Sequence, residues 1–397
     1  MRHWLILLLA ALPACRPPVR DTDREVRRLA DDVIPRVEQS VGLRFKTRPR
    51  FAVRDRAEVE RYLRAQLDQE YPAQKLANIA TAYRLVGLIP DTLDLRALLL
   101  SVLGEQVAGY YDPDSLTLYV VQGADPAQLR IVLAHELVHA LQGQYTSLDS
   151  LMNLKRENDR QLAVQAVLEG QATLASLTAM LDSTRLRQLG DFWGDVRASI
   201  RKEQSRMPLF SSAPLLIRQE LLFPYLAGAD FMRWFDQQYP GTMPFGPRMP
   251  QSTEQILYPD KYAEGDEPIE LRFAPAPAAG QLVYDDTFGQ FETRVILWQH
   301  TGSESLGNAG AIGWEGDRYA VYRDDSGDAL VWWSVWETSP LAKKFADMLG
   351  RIWQSDGEGR RWVVQQGTVG GESAVTLVDA PRSWGGWNTI PTVTALR

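Results

Sequence analysis

Residues 135–139 read His-Glu-Leu-Val-His. On an α-helix, at about 100° per residue, His139 lies about 40° around the axis from His135, and Glu136 lies about 60° beyond His139. Two imidazoles one turn apart on one face can share a single divalent metal ion. The glutamate then points beside the metal, where a water could be activated for hydrolysis. The chain holds only four histidines in 397 residues, so a pair spaced in this way around a glutamate is not expected from composition alone. The neighbouring Ile131, Val132, Leu133, Leu137, Val138 and Leu141 make the segment apolar nearly all round, which predicts a buried helix. Burying two imidazoles and a carboxylate is costly unless something pairs with them, and a divalent metal is the simplest such partner. The expected chemistry is hydrolysis at one Zn²⁺ per chain, with His135 and His139 as ligands and Glu136 as general base.

A catalytic zinc keeps three protein ligands and one open position. The remaining histidines are His3, in an N-terminal export signal, and His300, far toward the C-terminus. The metzincin pattern places a third histidine six residues after the second, but Tyr145 stands there, and Gln142 replaces the expected glycine. A carboxylate on the following helix is therefore the expected third ligand. Glu169-Gly170-Gln171-Ala172 resembles the Glu-Gly-x-Ala segment that supplies that ligand in several gluzincin-like families, and the resemblance implies Glu169. Glycine inside a helix costs about 1 kcal/mol relative to alanine, so Gly170 is expected to serve packing or access. Asp159, in a polar first turn, is a candidate acceptor for a ligand imidazole N–H. Tyr225, Tyr258 and Tyr262 are candidate stabilisers of an oxyanion. Leu116 to Val121 stands where zincins keep the edge strand that pairs with an extended substrate.

The elements that must hold these residues follow from periodicity and punctuation. Helices are predicted near 22–41, 56–70, 73–86 and 92–104, with a short strand at 50–54. A hairpin over 107–121 turns at Asp112-Pro113-Asp114-Ser115. Asp125-Pro126 opens the motif helix, and further helices are expected at 156–183, 185–206 and 214–239, the last bent at Pro224. An Ala/Pro stretch at 274–280 marks a domain boundary. Beyond it, helices at 287–300 and 340–354 and strands at 318–323, 329–336, 361–366 and 372–378 make a small α+β module. The predicted class is α+β: a mainly helical, zincin-like metallopeptidase domain with a small sheet over 23–279, then an accessory module over 280–397.

The N-terminus has a basic start, an apolar run from Trp4 to Leu12, and then Cys15, the single cysteine of the chain. Leu12-Pro13-Ala14-Cys15 resembles the lipobox of bacterial lipoproteins. It implies a signal at 1–15, a lipid anchor to a membrane at Cys15 and a tether at 16–22, in a protein exported from a bacterial cytoplasm to the cell envelope. An ordinary secretory signal is the other reading. A formal net charge of −7 argues against nucleic acid as a partner, since phosphate contacts need a concentrated basic surface. Six segments are similar to a family of uncharacterised bacterial exported metallopeptidases: Glu105 to Pro113, His135 to Gln142, Glu169 to Ala172, Pro224 to Gly228, Ser252 to Tyr262 and Gly313 to Tyr319. The resemblance implies a peptide or protein substrate of no established identity. Two other functions stand beside this one. One is a zinc hydrolase of a non-peptide amide or ester. The other is a catalytically vestigial envelope binding or assembly protein, motivated by Trp332, Trp333 and Trp336; at strand spacing Trp332 and Trp336 share one face and Trp333 lies on the other, so at least one side is expected to be core.

Overall fold

The structure is a computed structural model that describes residues 22–123, 126–152, 154–180, 192–353 and 359–396. The expected export signal at 1–15, with Cys15, the tether at 16–21 and the expected Asp125 cap lie outside the described residues. None of the described helices is long and apolar enough to cross a membrane.

Helices form where the apolar stripe repeats. α1 (Thr22–Val41) buries Val26, Leu29, Ala30, Val33 and Val37 at three- and four-residue steps. α2 (Arg56–Glu70) starts in a capping box: the Asp55 carboxylate accepts the Glu58 N–H at 2.8 Å, and Glu58 accepts the Asp55 N–H at 2.9 Å. α3 (Ala73–Leu85) and α4 (Leu95–Gln106) follow, the second capped by Asp94.

β1 (Arg50–Arg54), β2 (Gly109–Asp112) and β3 (Thr117–Val121) form a sheet in the order β1-β3-β2, with β1 parallel and β2 antiparallel to β3. The expectation that Leu116 to Val121 is an edge strand is therefore corrected. β3 is central because β1 pairs on its other side, held there by the Arg54 guanidinium over the Tyr119 ring at 3.8 Å and bonded to Tyr110 Oη at 2.6 Å. The edge is β2. Val121 N–H donates to Ala108 O, so antiparallel alternation turns the amides of Gly109 and Tyr111 away from β3.

α5 (Pro126–Tyr145) carries the motif. Val132, Leu133, Leu137, Val138 and Leu141 are fully buried, while Ile131 faces solvent. After α6 (Leu148–Met152), α7 (Asn158–Met180) runs through the middle of the protein with nearly every residue from Ala163 to Thr173 buried. α8 (Phe192–Ser205) and α9 (Pro208–Ser212) lead to α10 (Leu215–Gln238), which continues through Pro224. α7 and α10 cross at bare backbone. A Cβ on Gly170 would lie 2.1 Å from the Gly228 carbonyl carbon, and one on Gly228 would lie 2.0 Å from the Ala166 carbonyl oxygen. The mid-helix glycine thus serves packing.

Two short helices, α11 (Thr253–Leu257) and α12 (Pro259–Glu264), precede β4 (Glu270–Phe273). Next come β5 (Gln281–Asp286), α13 (Gly289–Thr301), α14 (Glu304–Ala311), β6 (Trp314–Asp324), β7 (Gly327–Trp336), α15 (Ser339–Ile352), β8 (Arg360–Val369), β9 (Glu372–Pro381) and β10 (Val393–Leu396). The main sheet runs β5-β6-β7-β9-β8, all antiparallel. Trp332 and Trp336 are buried against Phe345 of α15, and Trp333, on the opposite face, donates its Nε1–H to Pro391 O at 2.9 Å. Trp332 and Trp336 are interior packing, and Trp333 is partly buried. Contacts cross residue 280 freely. β10 pairs with β4, and one apolar cluster runs from Leu76 through Val167 and Phe291 to Leu377. The class is α+β.

Candidate metal centre

α5 crosses α7 so that His135, His139 and Glu169 meet with side chains no more than 1% exposed. His135 Nε2 lies 3.0 Å from both Glu169 Oε2 and His139 Nε2, and His139 Nε2 lies 3.5 Å from Glu169 Oε2. An ion about 2.0–2.1 Å from each of three tetrahedral ligands holds those ligand atoms about 3.3 Å apart. The triangle therefore has the dimensions of one face of a tetrahedral site. The tautomer of His139 is fixed as well. Gln142 Nε2 donates to Leu168 O at 3.0 Å and to Gln171 Oε1 at 2.9 Å, which leaves Gln142 Oε1, 2.7 Å away, to accept from His139 Nδ1–H. The Nε2 lone pair then faces the triangle.

Glu136 is completely buried, and its Oε2 accepts the Tyr111 N–H at 2.8 Å from the edge strand β2. Gly109 permits that approach, since a Cβ there would lie 2.7 Å from Val132 Cγ1. Glu136 Oε1 and Glu169 Oε1 are buried acceptors without a hydrogen-bond partner among the described residues. Two orphaned carboxylate oxygens beside two imidazoles fit a cation and its water.

The charges divide the labour. Burial, only partly opposed by the bond to Glu169, pushes the His135 imidazole down to about 4, so it is neutral and free to ligate. Burial alone would raise Glu169, but His139 and His135 outweigh it and hold that carboxyl down to about 2. Burial, and then the Glu169 anion, push Glu136 well above the usual carboxylate range against the Tyr111 amide. A divalent cation in the triangle would draw it back toward ionisation.

The other candidates are placed differently. The Tyr225 ring lies beside His135, with centroids 6.0 Å apart and planes 25° apart. Tyr258 Oη accepts from Gln290 Nε2 at 3.4 Å, and Tyr262 Oη donates to Arg248 O at 2.9 Å within a nest of Phe231, Trp234 and Phe235. Asp159 is corrected: it does not serve an imidazole. It lies ten residues, about 15 Å, before Glu169 on α7, and its carboxylate accepts from the Thr253 amide and hydroxyl. Two groups at the site escaped sequence reasoning. Gln142 is readable in principle, since it stands one turn after His139. The Tyr111 amide is not, since a backbone group acts through strand placement alone.

The fold and site together define an α+β protein with a buried two-histidine, one-glutamate group that could hold a metal ion. Residues 280–394 match the family described as a domain of unknown function, DUF8575. No curated protein matches the chain. A crystal structure described as that of "a putative hydrolase with a novel fold from Chloroflexus aurantiacus" is similar at 18% identity, covering 62% of this chain and 92% of that chain. Its TM-score is 0.39, too low to carry an argument about fold or chemistry.

Proposed function

We propose that this chain is a zinc-dependent peptidase, exported from a bacterial cytoplasm and tethered to a membrane through an acylated Cys15. The observation that carries the chemistry is the buried triangle of His135, His139 and Glu169 with the unpartnered Glu136 Oε1 beside it. Two imidazole nitrogens and one carboxylate oxygen suit zinc better than calcium or magnesium, which favour oxygen ligands in larger number. Zn²⁺ held there supplies a Lewis acid that polarises a carbonyl and lowers the pKa of water.

The remaining work belongs to the chain. The Tyr111 amide holds one oxygen of Glu136 and leaves the other to take a proton from water and return it to the departing amine. Gln142 keeps His139 in the tautomer that ligates. Tyr225, beside His135, is the candidate donor to a developing oxyanion. The peptide substrate class rests on the similarity of the His135 to Gln142 and Glu169 to Ala172 segments to exported metallopeptidases.

The test pairs metal analysis with a cleavage screen. Wild type and Glu136→Gln should both hold about one zinc per chain, and the substitution should lower peptide turnover by about 10²–10⁴-fold. Sub-stoichiometric zinc, or turnover indifferent to the substitution, sinks the mechanism. Non-peptide amides and esters in the same screen decide the substrate class.

A further inference from the structure

Beside the metal centre, α2, α3, α4, α7 and α10 enclose a cavity of about 180 Å³. That is room for one long side chain; a whole drug-sized ligand takes about 300 Å³ or more. Its lining includes Tyr225, the ring beside His135, and Gln165, one helical turn before Glu169. Much of the wall is aliphatic, and the charged residues lining it are Glu70 and Glu220, with no lysine, arginine or histidine among them.

An independent feature asks for a donor. Gln106, fully buried, also lines the cavity; its Nε2 donates to Gln204 Oε1 at 3.3 Å, while its Oε1 has no partner among the described residues. Glu292, 1% exposed, belongs to the same acidic group as Glu220. The Tyr83 hydroxyl lies 3.2 Å from Glu220 Oε1 and 2.9 Å from Glu292 Oε1, and one phenol proton cannot serve both; Asn158 Nδ2 donates to Glu292 Oε1 at 2.6 Å, so Glu220 is the one that a further donor would serve.

We propose that this cavity is a side-chain subsite of the peptidase and selects a basic residue, lysine or arginine, next to the scissile bond. The inference rests on the peptidase reading above. The alkyl stem would lie along the aliphatic walls, with the cationic head donating to Glu220 and Gln106 Oε1. Burial raises the Glu220 carboxyl to about 7 against its bonds to Glu292 and Tyr83. Burial and then Glu220 raise Glu292 well above the carboxylate range. The pair therefore retains a proton, which an incoming cation would displace.

The experiment profiles the zinc-loaded wild type and Glu220→Gln on a peptide library varied at both positions flanking the cleaved bond. Calorimetric binding of Nα-acetyl-argininamide runs beside it. In wild type, kcat/KM should favour Arg or Lys over norleucine at one flanking position by at least about tenfold, and Glu220→Gln should collapse that ratio. Nα-acetyl-argininamide should bind wild type and lose at least about tenfold in affinity in the variant. Cleavage without basic preference overturns the subsite and leaves the peptidase reading standing. No cleavage of any peptide overturns the peptidase reading, and argininamide binding that depends on Glu220 would then still assign the cavity to a cation. Should Glu220→Gln not fold, the wild-type preference and the binding measurement decide alone.

Discussion

Replacing Gln142 by leucine tests how the ligand His139 is oriented. The side chain is 1% exposed and close to leucine in size, so the substitution removes polarity more than volume. It takes away the acceptor of His139 Nδ1–H and the donors to Leu168 O and Gln171 Oε1. A buried N–H left without an acceptor costs about 1–3 kcal/mol. In the metal-free variant that cost is avoidable, because the proton can move to Nε2; holding a metal forbids the shift and confines the penalty to the bound state. The loss should therefore appear as zinc affinity weakened by about 10–100-fold, or about 1.4–2.8 kcal/mol. Competition titration against a fluorescent chelator reads the affinity, and thermal melts with and without zinc read the two states separately. A dissociation constant within about twofold of wild type, or equal losses in both melts, would falsify the orientation argument.

Three further outcomes follow from the geometry. Glu169→Ala should abolish stoichiometric zinc, and zinc held at wild-type affinity would rule Glu169 out as a ligand. Gly228→Ala drives a Cβ against the Ala166 carbonyl and should cost about 1–3 kcal/mol in denaturant unfolding; a change under about 0.5 kcal/mol contradicts the close helix crossing. Asp159→Asn should change the pH dependence of stability. Burial, opposed by the Thr253 bonds and helped by Asp317, raises Asp159 from 3.8 to about 7, so the folded state binds the extra proton. The stability this group contributes is full below the unfolded value and is lost as pH rises through about 7. Between pH 4 and 8 the wild type should lose about 2–4 kcal/mol relative to the asparagine variant, and parallel curves would contradict it.

The parts legible in the sequence are those governed by local rules. His135, Glu136 and His139 are one turn of one helix, so spacing alone brings them to one face. Glu169 needed a resemblance, because nothing in periodicity says which residue of a long buried helix meets the imidazoles. β1 pairs in parallel with β3 from far upstream, and parallel pairing has no turn chemistry to announce it, so β3 reads as an edge in the sequence but is central in the sheet. Asp159 was misplaced for a related reason. A polar residue in a helix's first turn reads as a charge for the dipole or for a nearby ligand, and its true partner, Thr253, arrives from a separate segment.

The crossing of α7 and α10 at Gly170 and Gly228 has one more consequence. Glu169 is the residue immediately before that contact, so its position is set by backbone resting on backbone, with no flexible side chain between the two rods. Glu169 and the cavity residues Glu220 and Tyr225 are thus gauged from a common fixed point. On the proposed function, exchanges at Glu220 and its cavity neighbours on α10 other than Tyr225 would alter what is recognised while the distance between Glu169 and the imidazoles stays put, which would separate the tuning of selectivity from the upkeep of the reactive centre.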